Sequence, residues 1–329
     1  MTPPVFDVKD AETLVRDAAS APSLHNAQPW RFRFLQETGT FELYADRLRA
    51  VPLADPDDRA LHIGCGAALF NLRVAIAHRG RHPRVDLLPD PSRPDLLATV
   101  RPTDRAAPAD HGLDALHPDI GRRHTSRYPY ADIPVADAAK EAMSEGARAE
   151  GALLHFPGPW HVQTLLTLAQ DAARDDHDPD RVAELARWTR LGPAISDTAG
   201  DGVPEYAFGP RRRTGGAAVR DFAGDRAVAD RGSAVFEAAP RLALLGTTGD
   251  EPADWLHAGQ ALEHILVLVT HHGLVACPTT EALERRELRW AARDPLSAMP
   301  YVQMVLRIGH GPTGPTSGRR PVRDVLDIV

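Results

Sequence analysis

Thiols are nearly missing: Cys65 and Cys277 are the only two cysteines in 329 residues. That excludes a disulfide framework and a four-cysteine metal site, and it points to a reducing cytoplasm. Positive charge is also in deficit. A formal net charge of −7 argues against a nucleic-acid binder, because neutralising phosphates needs a basic surface. No apolar run is long enough to span a bilayer, and the longest, Ile265 to Val269, falls far short. Met1-Thr2-Pro3-Pro4-Val5-Phe6-Asp7 lacks the basic-then-apolar order of a signal peptide. What is present is ordinary for a globular protein, with 43% hydrophobic and 25% charged residues. The length allows one large domain or two smaller ones.

Ala21-Pro22-Ser23-Leu24-His25-Asn26-Ala27-Gln28-Pro29-Trp30 stands out. A helix-patterned run from Ala11 to Ala19 stops before it, since Pro22 disfavours α geometry in the preceding residue. Alternating segments follow at Arg31 to Leu35 and Phe41 to Ala45, joined by a turn containing Gly39. Ser23, His25, Asn26 and Gln28, pinned between prolines, make a hydrogen-bonding surface suited to a planar heterocycle. The same residues also read as a plain helix-to-strand turn.

Leu61 to His78 has helical period and ends at Arg79-Gly80. Its Gly64-Cys65-Gly66 begins like a dinucleotide fingerprint, but Leu69 stands where the third glycine belongs. Close approach of two helices is the better reading. Short strands are expected at Val85 to Leu88 and Leu97 to Arg101, then a connector from Pro102 to Gly112 and a boundary near residue 115.

Arg122-Arg123-His124-Thr125-Ser126-Arg127 packs three arginines, a histidine and two hydroxyls into six residues. Such a set supplies charge-assisted hydrogen bonds to a phosphate, and it equally suits a solvated charged turn. Helices are expected at Ile133 to Ala149 and Trp160 to Ala173, with a strand at Leu153 to Phe156. Asp175-Asp176-His177-Asp178 reads as a loop and not a metal site, because Pro179 follows and no second ligand cluster matches it. Gly192 to Gly232 shifts to glycine, proline and arginine, a stretch too long and aperiodic to be a plain connection.

A strand at Arg241 to Gly246 precedes a long helix, Glu251 to Gly273. His257, His264 and His271 recur in it every seven residues, about 10 Å of helix rise, too far apart to share one metal ion. Leu274 to Cys277, the loop Pro278-Thr279-Thr280-Glu281, a further helix and the alternating strand Tyr301 to Ile308 complete the order, with Val302, Met304, Leu306 and Ile308 expected on one face. Placing Gly66 on Gly259 aligns Ala68 with Ala261, Leu69 with Leu262, His78 with His271 and Gly80 with Gly273 without a gap, which suggests an internal duplication.

The pattern PSxxNxQPWxF at Pro22 to Phe32 resembles the flavin-contacting loop of the nitroreductase family of FMN proteins, and RRHTSR resembles that family's FMN-phosphate segment. In the family's homodimers one subunit gives the arginine segment and its partner gives the loop. Here each occurs once, in opposite halves. The resemblance, running from about Asp10 to Asp324, therefore implies the Acg-type branch: an α+β nitroreductase-like fold whose two related lobes form an intramolecular pseudo-dimer. Residues 1–115 would be a truncated first half giving the PSLHN loop. Residues 116–329 would be the second half, with a lid at about 192–232.

The resemblance further implies that Pro22, Ser23, Leu24, Asn26 and Gln28 line the isoalloxazine and ribityl chain, and that Arg123, His124, Thr125 and Arg127 hold the phosphate and ribityl hydroxyls. Pro278, Thr279, Thr280 and Glu281 match the loop whose backbone faces flavin N5, and Arg319 or Arg320 the tail cation that closes on the phosphate. FMN would carry the redox chemistry, so no catalytic acid or base and no metal is expected. Two functions follow. One is an oxidoreductase passing hydride from NAD(P)H to a small-molecule acceptor. The other is a protein that sequesters FMN with little turnover, because a lid obstructs the flavin face. Neither needs nucleic acid or membrane. One chain suffices for one site, a homodimer is left open, and the cytoplasm is the expected location.

Overall fold

The computed structural model describes residues 6–104, 112–174, 178–192, 200–217, 219–224 and 226–329. Helix α1, Val8–Ala18, starts where the Asp7 carboxylate accepts the Asp10 N–H, and it buries Ala11, Leu14, Val15 and Ala18. The hairpin β1, Trp30–Leu35, and β2, Thr40–Ala45, follows. Next come α2, Arg59–His78, then β3, His82–Leu87, and β4, Leu96–Thr103.

The second half opens with the single turn α3, His117–Ile120, and α4, Asp137–Ala149. It continues through β5, Leu153–His155, α5, Pro159–Arg174, and α6, Pro179–Arg187. An insertion then carries two short parallel pairs: β6, Thr189–Arg190, with β7, Val203–Pro204, and β8, Arg211–Thr214, with β9, Ser233–Val235. The lobe closes with β10, Leu242–Thr247, α7, Pro252–His271, β11, Val275–Thr279, the one-turn α8, Arg286–Arg289, and β12, Tyr301–Gly309. Last comes β13, Leu326–Ile328.

Two sheets result. One has the order β13-β1-β2-β4-β3 and the other β11-β12-β10-β5. The run α1-β1-β2-α2-β3-β4 and the run α4-β5-β10-α7-β11-β12 have the same element order, and within them the strands lie in the same lateral order, β1-β2-β4-β3 and β5-β10-β12-β11. The strand β13 breaks this correspondence. It leaves the second half and pairs parallel to β1 on the first sheet, Phe32 opposite Leu326.

The two long helices α2 and α7 cross at the aligned glycines. A Cβ on Gly259 would lie 2.1 Å from the Ile63 carbonyl oxygen, and one on Gly66 would lie 2.4 Å from that of Leu256. Only hydrogen fits at either position, so the close-approach reading of Gly66 holds. Helix α2 is apolar nearly all round, with mean hydropathy 1.5 over its best window, but 89% of that window is buried in the protein. Its composition answers to packing on α7 and the first sheet.

Several expectations need correction. The helix predicted from Ile133 begins only at Asp137, and Pro278 and Thr279 finish β11 and are not loop. Instead of a full helix after Glu281 there are a 3₁₀ turn, Glu281–Glu284, and α8. Val302 does not share a face with Met304, Leu306 and Ile308. The register slips so that Leu245 opposes Met304 while Gly246 opposes Val302, and the bulge at Gln303 turns Val302 toward α5. Helix α6 and strand β13 were not foreseen. Residues 105–111 of the connector and 175–177 of the acidic loop lie outside the described residues.

Candidate functional site

Pro22 ends α1, and the chain then takes left-handed backbone at three non-glycine residues, His25, Asn26 and Gln28, with φ of 51°, 55° and 54°. Asparagine tolerates this geometry well, histidine and glutamine less so, and the surroundings hold it in place. The Gln28 N–H donates to Ser23 Oγ at 2.8 Å. Asn26 Nδ2 donates to the carbonyls of Gly202 and Gly318, and its Oδ1 accepts from Arg319 at 3.1 Å. Gln28 Nε2 donates to Gly200 O at 2.8 Å, and its Oε1 accepts the Arg320 N–H. Both amides are therefore occupied in stapling the insertion and the C-terminal tail to the loop.

The arginine segment continues the second sheet. Ser126 N–H donates to Ala276 O at 2.9 Å, and Thr125 bridges to Ala276. The tail crosses directly over it: a Cβ at Gly314 would lie 1.8 Å from Thr125 O, so glycine is required there. Loop, segment and tail thereby converge on one cleft. Its two ends share Pro22, Ser23, His25, Thr125 and Arg127.

One end is cationic. Arg123 and Arg319 both donate to the Ser20 carbonyl oxygen, at 3.0 and 2.8 Å, and His124 and Asn26 stand beside them. Burial together with the Arg123 charge pushes the Arg319 pKa down to about 9, and burial, Arg123 and Arg319 push His124 down as well. The nearby carboxylate is Glu263 on α7, whose Oε1 lies 3.1 Å from Arg123 Nε. Burial drives its pKa up to about 7 against the pull of Arg123. Two crowded guanidinium groups facing one acid whose ionisation burial opposes form a site short of negative charge.

The other end is more apolar, lined by Leu24, Ile63, Gly64, Leu262, Met304 and Pro278. The insertion closes it. Phe222 lies under the Arg127 guanidinium, 4.8 Å from ring centre to Cζ, and edge-on to His25 at 5.8 Å. Arg127 Nη1 also donates to Ala207 O. Arg220 pairs with Glu284 and lies 3.6 Å from Glu281. Burial opposes ionisation of Glu284, but the Arg220 charge and the hydrogen bonds from Arg220 and Thr280 hold its pKa below the usual range. Burial and the Arg220 charge lower His25 to about 3, so it is neutral at ordinary pH. The Thr280 N–H donates to Glu281 Oε2 at 3.1 Å. Within the insertion Val203, Ala207, Phe208, Phe222 and Ala223 form an apolar cluster of their own with Leu185, so these residues are packed despite the aperiodic sequence, while 193–199, 218 and 225 of the expected lid lie outside the described residues.

Of the anticipated residues, Pro22, Ser23, Leu24, Asn26, Arg123, His124, Thr125, Arg127, Pro278, Thr280, Glu281 and Arg319 line this cleft. Gln28, Thr279 and Arg320 do not. Gln28 is fully buried beneath the loop, and Arg320 turns to Asp46 and the Asp324 carbonyl. His25, part of the polar loop already singled out, lines the cleft too, whereas sequence reasoning missed Arg59, Arg220, Phe222 and Glu284. Arg59 was findable as a lone cation at the head of an apolar helix. It donates to Gln303 O at 2.6 Å, and burial lowers its pKa to about 10.

No family model matches the chain. It is 31% identical over 334 residues to Rv3131 of Mycobacterium tuberculosis H37Rv, a protein provisionally named an NAD(P)H nitroreductase, covering 98% of this chain and 92% of that one. It is 28% identical over 330 residues to acg of the same organism, which carries the same provisional name, covering 96% and 95%. Among solved structures, the FMN- and NADPH-dependent nitroreductase NfnB of a Sphigopyxis strain gives a TM-score of 0.39 at 18% identity, over 64% of this chain and 97% of that one. The assignment rests on the sequence relatives, not on that structural score. With these relatives matched over nearly its whole length, the chain belongs to the nitroreductase family, in the branch that includes Acg.

Proposed function

We propose that this chain binds FMN in the cleft between its lobes and acts as a nitroreductase-family oxidoreductase, passing hydride from NAD(P)H to a small-molecule acceptor. The observation that carries the reading is the convergence of the 21–28 loop, Arg123, Arg127 and Arg319 on one continuous cleft, cationic at one end and more apolar at the other. The residues fit the group. The buried Nε of Arg319 has no hydrogen-bond partner among the described residues, and Arg123 Nε has only Glu263 Oε1, off line at 3.1 Å, so the cationic end has donors to spare for a phosphate. Arg123, His124, Thr125 and Arg319 would hold the phosphate, and Pro22, Ser23, Leu24 and Arg127 the ring end. The flavin supplies the two-electron chemistry, and the protein orients it and excludes water.

The matching strand orders and the glycine crossing support reading residues 1–115 and 116–329 as the halves of an intramolecular pseudo-dimer, so that one chain suffices for one site. A small-molecule redox substrate, a soluble cytoplasmic setting and no need for nucleic acid or membrane belong to the same reading.

A second reading, FMN sequestration with little turnover, is favoured by the insertion. Phe222 and Arg220 occupy the ring end, and Gly202, Val203, Pro204 and Ala207 cover the phosphate end. Purified protein should be yellow and should release FMN on denaturation; colourless protein that takes up no FMN refutes both readings. Anaerobic mixing of the holoprotein with NADPH or NADH separates them. Rapid bleaching of the flavin band supports the oxidoreductase, and persistence of the band supports sequestration.

A further inference from the structure

We propose that Glu263 is the proton-accepting and positioning residue of the anion end: it takes up a proton when a phosphate monoester binds, and the acid so formed closes a paired hydrogen bond with Asn71.

The case begins with unsatisfied atoms. Glu263 on α7 and Asn71 on α2 are both fully buried. Glu263 Oε1 accepts from Asn71 Nδ2 at 3.0 Å and lies 3.1 Å from Arg123 Nε. Its other oxygen, Oε2, and Asn71 Oδ1 have no partner among the described residues. These are two acceptors on side chains already joined by one hydrogen bond, and two acceptors cannot satisfy each other without a hydrogen. One proton on Oε2 supplies it, and the acid and the amide then pair through N–H···O and O–H···O together. Across the site the shortage is opposite in kind, since Arg319 Nε has no acceptor among the described residues and Arg123 Nε has only Glu263 Oε1, off line at 3.1 Å. A phosphate with a proton answers both shortages; a phosphate alone answers one.

Charge balance points the same way. The groups facing Glu263 are Arg123 from the arginine segment, Arg319 from the tail and neutral Asn71 from α2, with His124 beside the arginines. The next residue on α7, His264, is directed instead to Glu150, 3.3 Å away. Before binding, two cations and one carboxylate leave the site positive. A dianionic phosphate would turn it negative in a buried setting, and one proton returns it to neutrality. Burial already holds Glu263 at a pKa of about 7, so the proton is available near neutral pH.

This inference rests on the FMN reading, and the test separates the two. Apoprotein is titrated with FMN by calorimetry at pH 7.5 in buffers of different ionisation enthalpy, where FMN itself is mostly dianionic. Uptake of about three-quarters of a proton per FMN is expected, with Kd rising about fivefold from pH 7 to 8. Glu263→Gln, which imitates the protonated acid, should keep FMN, take up no proton and show a flat Kd over that range. Binding by wild-type protein without proton uptake overturns the proposal and leaves the FMN reading standing. Uptake retained in Glu263→Gln but lost in His124→Gln also overturns it, by moving the proton to His124. Absence of FMN binding overturns both. Should Glu263→Gln not fold, infrared difference spectra of wild-type protein labelled with ¹³C-glutamate decide: binding must add a protonated carboxyl band shifted by the label, and its absence overturns the proposal.

Discussion

Replacing Arg123 by alanine tests the anion end directly. Arg123 is only 5% exposed, bonds the Ser20 carbonyl and faces Glu263. Removing one partner of a desolvated charge pair costs about 2–5 kcal/mol. Two features put this site at the low end of that range. The substitution relieves Arg319 of the like charge that lowers its pKa, and Glu263, losing a cation, neutralises by taking a proton. An FMN affinity loss of about 2–3 kcal/mol is expected, or roughly 30- to 150-fold in Kd. The assay is fluorescence titration of apoprotein with FMN and, in parallel, with riboflavin, which lacks the phosphate. Riboflavin affinity should change less than about threefold, since its ring and ribityl chain do not need the cation. Equal losses for the two ligands would mean that Arg123 supports the fold and not the phosphate. No loss for either would place the phosphate elsewhere.

Three further outcomes are expected. Gly66→Ala or Gly259→Ala forces a methyl group into a backbone carbonyl at the helix crossing and should cost at least about 2 kcal/mol, read as a lower denaturant midpoint; unchanged midpoints would show that the crossing is slack. Combining Arg220→Ala with Phe222→Ala removes the ion pairs and the ring that close the cleft, so anaerobic NADPH should bleach the bound flavin faster; an unaltered rate would mean that the insertion is no barrier. His25 has a folded-state pKa of about 3, below its unfolded value near 6.5, so the unfolded chain binds that proton first. Stability of the apoprotein should be complete above pH 6.5 and fall by about 2 kcal/mol more at pH 5 than in His25→Asn, which accepts the same left-handed backbone; parallel pH profiles in denaturant melts would refute the assignment.

What could be read in advance was local. The glycine stops of α2 and α7 and the two polar motifs each depend on residues within a few positions of one another. Half of the helix crossing was legible, because Gly66 called for a close helical neighbour, whereas Gly259 was aligned with it as a repeat and not as its contact. What could not be read depended on partners far along the chain. Gln28 resembles a ligand-facing amide until the carbonyl of Gly200 and the N–H of Arg320 claim it. Val302 alternates correctly with its neighbours until a bulge set by β10 reverses it. Strand β13 has a pairing edge only because β1 offers one, and Phe222 reaches the cleft on an insertion whose order comes from its own apolar cluster. Periodicity carries no information about such distant closures.

The bond from Arg319 to Asn26 spans 293 positions, and beyond it the tail still has to pair with β1. A pocket finished by so distant a closure exists only in chains that have completed their architecture, since each early closure leaves it open. FMN bound there as proposed would stabilise only the finished form, by about 2.7 kcal/mol at a free concentration one hundred times Kd. Yellow colour in a preparation would then count correctly assembled molecules, and cells short of flavin would hold a less durable population of this protein.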